Sequence, residues 1–543
     1  MPGLRRDLGR DGQGEDGPNV TDNYTAHGSG APAGDSYGSD ETLDMVIVVA
    51  GFAGIWLLDQ LRQRGFKAKI IEAGSVDSQY PIYALAIPEV YNDWTWSSHY
   101  PDHHELREYF KFLDERLHVS KDCVFNAKVT NAVWDDGECT WSIGCDNGSS
   151  FRTKFWTACT GFAAKKYFPD WPGYEDFKGT MFHSSFWPNE GVDVKGKRVA
   201  VIGTGATGVQ ITQEWCREIG DEGDLKMFQR TANIACPMNQ VYMTEEEQKV
   251  LSAGLSDQLA DRNNHHNGFL YQWRDTLTYD DTPEERDEFC HMLWKMGGFR
   301  FLMNDYYDMT RNASANLEAY NFWRDRTRER VKDTRKAELL APTERPHLFG
   351  GKRLSLEQDF YDQFNKPNVD VIDVQNNPIK RFVSDGIIQE DGSHHKLDMI
   401  ALATGFDSIT GGLKDMKIRG VGGEVLTDNW QAKGTWTYLG VSTARFPNFF
   451  FTYGPQAPTA FSNGPSCIEI QGDWIANVLS DMQAKELRRI DADPQAEAEW
   501  KALVNDLIND TPRGKVDSWY NGANIPGERF GNHVGLCAFL AGV

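Results

Sequence analysis

Two glycine-rich turns in this 543-residue sequence follow apolar strands and could bind the pyrophosphate of a dinucleotide. The clearer turn comes directly after the β-branched run Arg198–Ile202 and reads Gly203-Thr204-Gly205-Ala206-Thr207-Gly208. In a G-x-G-x-x-G pattern the glycines allow a tight turn, a close approach of backbone to phosphate, and close packing of helix on strand. Apolar residues from Val209 to Ile219 then recur at helical spacing, and Gly220 is a suitable end for that helix. The pattern predicts a strand, a turn and a helix around a pyrophosphate.

The end of the next strand indicates which dinucleotide this turn binds. The strand Leu225–Phe228 leads into Gln229-Arg230-Thr231. An acidic residue at this point would bind a bare ribose 2′-hydroxyl, whereas an arginine suits a 2′-phosphate. The unit is therefore expected to bind NADP(H) rather than NAD(H).

The second turn is nearer the N-terminus and ends differently. A buried-strand run from Met45 leads into Val49-Ala50-Gly51-Phe52-Ala53-Gly54, and the strand after the following helix finishes at Glu72. A glutamate there can accept a hydrogen bond from a ribose hydroxyl. Val49 stands where the first glycine is expected, and a β-branched residue disfavours a positive φ and crowds a tight turn.

A spaced motif precedes the Gly203 turn and carries a family resemblance. It reads Phe177-x-Gly179-x-x-x-His183-x-x-x-Trp187-Pro188. This motif resembles the signature of the Baeyer–Villiger monooxygenases, flavoproteins that convert ketones to esters or lactones. The resemblance extends from about Leu43 to the C-terminus. It implies an α/β fold with two Rossmann-like domains, FAD on the first turn, NADPH on the second, and a structural or conformational role for His183 in the linker between the domains.

The same resemblance implies two catalytic residues, Arg353 and Asp77. Arg353 lies in Gly351-Lys352-Arg353-Leu354, and its guanidinium would stabilise negative charge that develops on oxygen during the reaction. Asp77 would hold Arg353 in place. The residues expected to bind the two cofactors are Gly51, Gly54, Glu72, Asp77, Tyr83, Val129, Gly203, Thr204, Gly205, Ala206, Thr207, Gly208, Gln210, Arg230, Thr231, Lys352, Gln456 and Trp519.

One segment of the family pattern is missing between Ser75 and Val76. There the family carries a stretch of the kind G-G-T-W-x-x-N-x-Y-P-G-x-x-x-D that wraps the flavin, whereas this chain runs from Glu72-Ala73-Gly74-Ser75 straight to Val76-Asp77. Either the gap is an error of gene prediction, or the protein has lost or weakened its flavin. Two functions follow: a Baeyer–Villiger monooxygenase, or a flavin-deficient pseudoenzyme or non-redox catalyst that binds NADP(H) on the same fold.

Composition restricts the partners and the compartment. The net charge of -23 argues against nucleic acid as a partner, and no apolar run approaches the ~20 residues of a membrane span. The 9 cysteines are scattered without a C-x-x-C pair, which is typical of reduced thiols and predicts a cytoplasmic protein. Paired histidines such as His103-His104 lack metal-motif spacing, so no metal site is expected.

The order of these motifs predicts the domain organisation. We expect a disordered tail over 1–42, the first part of an FAD-binding domain over 43–165, an NADP-binding domain over 166–395, and the rest of the FAD-binding domain with a C-terminal segment over 396–543. A helical insertion rich in aromatic residues is expected over 238–342, where it would cap the active site.

Overall fold

The computed structural model describes residues 38–73, 84–188, 191–265, 267–457, 462–509 and 511–525. The chain forms two compact units. The Gly203 unit comprises Lys166–Asn239 and Trp273–Phe406. The Val49 unit comprises the described residues up to Lys165, the segment Gln240–Gln272, and the described residues from Asp407 onwards.

The Val49 unit is built on an eight-stranded sheet. Its strands lie in the order β19-β4-β5-β6-β1-β2-β3, and β20 also pairs with β6. Strand β1 is parallel to β2 and β6, whereas β4, β5 and β6 form antiparallel pairs. The elements of this unit are β1 (Gly38–Val48), α1 (Phe52–Gln63), β2 (Ala68–Glu72), α2 (Pro88–Tyr91), α3 (His103–Leu117), β3 (Cys123–Phe125), β4 (Val129–Asp135), β5 (Thr140–Cys145), β6 (Ser150–Ala158), α5 (Glu245–Asp261), α11 (Gly411–Asp415), β19 (Ile418–Arg419), α12 (Leu426–Lys433), β20 (Phe449–Phe451), α13 (Gly464–Ala484) and α14 (Pro494–Asn509).

The Gly203 unit is built on a five-stranded sheet in the order β13-β10-β9-β17-β8, and every neighbouring pair is parallel. A parallel pair, β11 with β12, and an antiparallel sheet, β14-β15-β16, complete its strand pairing. The elements are β8 (Thr180–His183), β9 (Arg198–Ile202), α4 (Ala206–Glu218), β10 (Asp224–Gln229), β11 (Ala235–Pro237), α6 (Pro283–Met296), α7 (Arg300–Met303), α8 (Ala313–Arg330), α9 (Thr334–Leu340), β12 (Ser355–Glu357), α10 (Phe360–Gln363), β13 (Val369–Asp373), β14 (Ile379–Val383), β15 (Gly386–Gln389), β16 (His394–Lys396) and β17 (Met399–Leu402). Two-residue strands, β7 (Lys165–Lys166) and β18 (Phe406–Asp407), lie where the chain passes from one unit to the other.

Apolar residues at helical spacing form the cores. Helix α1 buries Leu57, Leu58 and Leu61, and α3 buries a stripe that includes Leu106 and Tyr109. The α/β architecture with two dinucleotide-type sheets is thus confirmed. In both units a strand–turn–helix unit lies at the carboxyl edge of parallel strands, where dinucleotides bind in this class of fold.

Several boundaries differ from the sequence expectations. Strand β1 begins at Gly38, inside the segment expected to be a disordered tail, because Gly38 and Thr42 pair with β6. Strands β4 and β5 are separated by a turn in which the Asp135 carboxylate accepts hydrogen bonds from the N–H groups of Gly137 and Glu138. Strand β17, which begins at Met399, lies in the sheet of the Gly203 unit. The change of unit therefore comes at 406/407 rather than at 395/396.

In its described residues, the aromatic-rich segment over 238–342 carries five α-helices, α5 to α9, and it divides between the two units. Helix α5 belongs to the Val49 unit, whereas α6 to α9 belong to the Gly203 unit. Within the described residues, none of the helices combines the length and the apolarity that crossing a bilayer requires.

Candidate active site

The Gly203 turn joins β9 to α4 and has the geometry of a phosphate cradle. Gly203 has a φ of +110°, and a Cβ there would lie 2.3 Å from the carbonyl oxygen of Ala403. A Cβ on Gly208 would lie 2.1 Å from the carbonyl oxygen of Gly203, so only glycine lets helix and strand pack this closely. Apart from the chain neighbours of Gly205, no described atom lies within 4 Å of a Cβ position at this residue. The exposed start of α4 can therefore present its backbone N–H groups to a pyrophosphate.

The Val49 turn repeats this geometry between β1 and α1. Val49 has a φ of +82°, and a Cβ on Gly54 would lie 2.0 Å from the carbonyl oxygen of Val49. At Gly51 the nearest described atom to a Cβ position, apart from the chain neighbours, is Val49 Cγ1 at 3.9 Å. The turn and the start of α1 thus leave the space that a second dinucleotide pyrophosphate needs. These residues therefore fit the pyrophosphate of FAD.

The two turns differ in the side chain at the end of the strand that comes after the helix, which is β2 in one unit and β10 in the other. Glu72 is buried at the end of β2, where its Oε2 accepts a hydrogen bond of 2.6 Å from the N–H of Ala50. Arg230 is exposed after β10, and the neighbouring Thr231 carbonyl accepts a hydrogen bond of 2.8 Å from the hydroxyl of Thr204. An acid at one turn and a cation at the other suit a ribose hydroxyl and a 2′-phosphate respectively.

The fold brings the Arg230 segment and the Lys352-Arg353 segment to one place. Ala235 pairs with Ser355 in the parallel β11–β12 ladder, and the Asn233 side chain donates a 2.7 Å hydrogen bond to the Ser355 hydroxyl. Both cation-bearing segments therefore enter the same end of this strand pair. Sequence spacing alone does not show that they meet, because over a hundred residues separate them.

Arg353 is half-buried, and the backbone on each side of it is constrained by its neighbours. Its guanidinium carbon lies 5.1 Å from the centre of the Phe299 ring, a distance that allows a cation–π contact. The next residue, Leu354, is buried, and β12 begins one residue later. On the N-terminal side, Gly350 has a φ of +67°, and a Cβ there would lie 2.7 Å from Cδ1 of Leu302. This arrangement fixes where the guanidinium can point.

His347 is a neighbour of Lys352 that the sequence motifs do not indicate. The pKa of His347 is lowered to about 4, mainly by burial and in part by the charge of Lys352. Its Nδ1–H donates a 3.0 Å hydrogen bond to the Leu348 carbonyl. The imidazole is therefore neutral at pH 7, and Lys352 contributes the positive charge at this position.

His183 is fully buried at the end of β8 and connects two loops of the Gly203 unit. Its Nε2–H donates to the carbonyl of Gly405 at 3.1 Å, while Nδ1 accepts from the N–H of Ser185 at 3.2 Å. Burial lowers its pKa to about 4, so the ring is neutral at pH 7. A neutral histidine whose two nitrogens are both used in this way supports a structural role rather than proton transfer.

Two of the expected cofactor residues lie in the second half of the Val49 unit. The Gln456 side chain is fully buried: its Oε1 accepts from the N–H and the hydroxyl of Thr437, and its Nε2 donates to the Thr435 carbonyl. Gln456 can therefore reach a flavin only through its backbone, which has a φ of +62°. Trp519 stacks on Phe162 with ring centres 5.7 Å apart, and no sequence motif indicates Phe162.

The remaining expected residues stand as follows. Val129 is buried at the start of β4, soon after Phe125 pairs with Glu72 in the sheet. Gln210 is half-buried in the first turns of α4. Asp77, Tyr83 and the junction of Ser75 with Val76 lie outside the described residues, so the flavin-ring half of the site remains a prediction.

Two dinucleotide turns of matching geometry, each on its own sheet, define a flavoprotein oxidoreductase that uses two nucleotides. The family profile described as FMO-like, flavin-binding monooxygenase-like, matches residues 85–286. The FAD-binding monooxygenase acrE of Aspergillus aculeatus is 40% identical over 510 residues, which cover 91% of this chain and 85% of that protein. Cyclopentanone 1,2-monooxygenase of a Comamonas species is 37% identical, with coverage of 90% and 91%. The crystal structure of OTEMO complexed with FAD and NADP is similar, with a TM-score of 0.85 at 30% identity and coverage of 91% and 96%. This chain belongs to the Baeyer–Villiger monooxygenase family.

Replacing Val49 with glycine is expected to stabilise the protein and its retention of FAD. A non-glycine residue held at positive φ costs about 1–3 kcal/mol, and the larger unfolded-state entropy of glycine offsets up to about 1 kcal/mol of the gain. Val49→Gly should therefore raise the free energy of unfolding by about 1 kcal/mol and raise the flavin-to-protein absorbance ratio.

Val48→Gly is the matched control for this change. Val48 is buried in β1 next to Val49, so the same substitution there loses packing and should destabilise the protein. Equal or lower stability of Val49→Gly relative to the unmodified chain would contradict strain at this turn.

Proposed function

We propose that Arg353 and Asp77 act in a Baeyer–Villiger reaction for which this chain binds FAD at the Val49 turn and NADPH at the Gly203 turn. The protein is an FAD- and NADPH-dependent monooxygenase that inserts one oxygen atom next to a ketone carbonyl and so forms an ester or lactone. The observation that carries this function is the matching geometry of the two turns, which end in an acid at Glu72 and in a cation at Arg230. Because the Val49 turn leaves space for a pyrophosphate, it favours the monooxygenase over the flavin-deficient alternative.

The bound cofactors supply the two electrons and the activation of dioxygen that no side chain provides. The chain binds and orients them: Glu72 receives a ribose hydroxyl, while Arg230 and Lys352 bind the 2′-phosphate. Arg353 presents a fixed positive charge to the oxygen on which negative charge grows, and Asp77 holds that guanidinium in place. Such preorganised charge is most effective where water is excluded. Trp519, stacked on Phe162, offers an aromatic surface within the Val49 unit.

The test of this function begins with the colour of the purified protein. Bound flavin should give visible absorbance bands, and NADPH should be consumed in the presence of cyclopentanone, the ketone named for one relative. Under ¹⁸O₂ the lactone should contain one labelled oxygen. A colourless protein that cannot be reconstituted with FAD would instead support the flavin-deficient alternative.

Arg230→Ala is expected to weaken NADPH binding selectively. The guanidinium is exposed and available to a phosphate, and a charge-assisted hydrogen bond of this kind contributes about 1.5–3 kcal/mol. The KM for NADPH should rise by roughly 10- to 100-fold, whereas the KM for NADH should stay within about twofold. If the KM values for NADPH and NADH rise in parallel, Arg230 does not bind the 2′-phosphate.

The reactants and the location complete the proposal. A small-molecule ketone and dioxygen are the expected reactants, and neither nucleic acid nor a membrane is needed as a partner. None of the eight cysteines in the described part of the chain forms a disulfide, which supports a cytoplasmic location.

A further inference from the structure

Helix α8 (Ala313–Arg330) contacts three chain segments around the Lys352-Arg353 pair. Its residues Asn316, Trp323 and Arg330 recur every seven positions and so share one face of the helix. Each of them bonds to a different segment of the Gly203 unit. The sequence gives no motif for this helix, whose residues appear only as part of an aromatic insertion.

Asn316 holds the chain just before the cation pair. The side chain is fully buried, and its Oδ1 accepts from the N–H of Phe349 at 3.0 Å while its Nδ2 donates to the carbonyl of Phe349 at 2.9 Å. Arg345 donates to the same Oδ1, and the carbonyl of Met309 accepts from the same Nδ2. Asparagine is needed because this site uses two donors and two acceptor positions at once.

Trp323 and Arg330 hold β11 and β12, the two paired strands that follow the Arg230 and Lys352-Arg353 segments. The indole N–H of Trp323 donates to the Ala235 carbonyl in β11 at 2.7 Å. Both terminal nitrogens of Arg330 bond to the buried carboxylate of Glu357 at the end of β12, at 2.6 and 3.1 Å. One helix face thus fixes the chain before Lys352, the chain after Arg353, and the strand that follows the Arg230 segment.

We propose that Asn316 is a positioning residue that holds Lys352 and Arg353 toward the cofactor phosphate and the reacting oxygen. The inference rests on the proposed function for the role of those two cations, but the contacts that carry it lie within one unit of the fold. Phe349 is three residues from Lys352, and Gly350 and Gly351 between them provide no side chain to hold the backbone. Without its two hydrogen bonds to Asn316, Phe349 is no longer held in place, and the loop that leads from it to Lys352 loses its anchor.

The test uses Asn316→Asp, which keeps the shape of the side chain but replaces both Nδ2 donors with an acceptor. Affinity for NADP⁺ should fall about tenfold, as expected for the loss of buried hydrogen bonds, while affinity for NAD⁺ stays within about twofold. Titration calorimetry on the purified protein gives both values. The fraction of oxidised NADPH that appears as ester should fall in the same variant. Should Asn316→Asp not fold, Asn316→Ser gives the same test, because a hydroxyl cannot span both groups of Phe349.

Tyr320→Phe is the matched control on the same helix. It removes the hydrogen bond from the Tyr320 hydroxyl to the carbonyl of Pro342, a residue seven positions before Phe349. This variant should lose stability without losing the preference for NADP⁺. An equal loss of preference in Tyr320→Phe, or equal losses of NADP⁺ and NAD⁺ affinity in Asn316→Asp, would overturn the proposal.

A double variant separates positioning from general damage. In a Lys352→Ala background, Asn316→Asp should cause no further loss of NADP⁺ affinity, because the group that it positions is absent. Additive losses would refute the inference. The binding measurements do not depend on catalysis, so a chain that forms no ester would remove the proposed oxygenation while the role of Asn316 is still decided by the NADP⁺ and NAD⁺ affinities.

Discussion

Arg353→Ala should abolish ester formation while NADPH is still oxidised and its electrons are released as hydrogen peroxide. The guanidinium of Arg353 lies over the Phe299 ring, and its backbone leads directly into the buried Leu354, so the charge is positioned before negative charge develops. Removing one preorganised charge or donor of this kind usually costs about 100- to 1,000-fold in rate. NADPH oxidation followed at 340 nm, with product measured by gas chromatography, should therefore show uncoupling rather than general inactivation.

Arg381→Ala is the control for this prediction, because Arg381 is an exposed arginine of β14 in the same unit. It should retain the yield of ester per NADPH. Arg353→Lys should restore part of the coupling, since it keeps the charge but loses the planar shape of the guanidinium. Ester formation by Arg353→Ala at the unmodified rate would show that another group stabilises the developing charge.

Local patterns predicted the parts of the site that depend on neighbouring residues. The Gly203 turn was predictable because its glycines, the following helical stripe and Arg230 all lie within thirty residues and each has a fixed role. The positive φ expected to strain Val49 is also present in the structure. Such features are local consequences of backbone geometry and side-chain shape, so they can be derived from the sequence alone.

The contacts that fix the cation pair could not be predicted in this way. Asn316 and Phe349 come together only after α8 has packed, and the sequence contains no pattern that pairs them. Gln456 shows the same limit: its motif does not reveal that Thr437 and Thr435 use its carboxamide, which leaves its backbone for the expected cofactor contact. Polar networks of this kind depend on tertiary packing, which can direct the same residue type toward a ligand or into the core.

Asp305 should make the stability of the protein fall as the pH rises. Its side chain in the Gly203 unit is 1% exposed, and burial raises its pKa from 3.8 to about 7. That pKa already includes the hydrogen bond from the N–H of Tyr306 and the charge of Arg274, which lower it, and the charges of Asp308 and Glu318, which raise it. In the unfolded chain the carboxyl group titrates near its ordinary value. Between about pH 4 and pH 7 the folded state therefore holds a proton that the unfolded state has lost, and the free energy of unfolding decreases across that window by about 4 kcal/mol in total.

Asp305→Asn should remove this dependence, because the amide stays neutral and its oxygen can still accept the 2.7 Å hydrogen bond from Tyr306. Urea unfolding at pH 5.5 and pH 8 should show that the advantage of the variant over the unmodified chain grows by about 2 kcal/mol between the two conditions. The exposed Asp221→Asn serves as the control and should show no such growth. A constant difference at both pH values would mean that Asp305 is already ionised at pH 5.5. In that case the charge of Arg274 would have to outweigh the cost of burial.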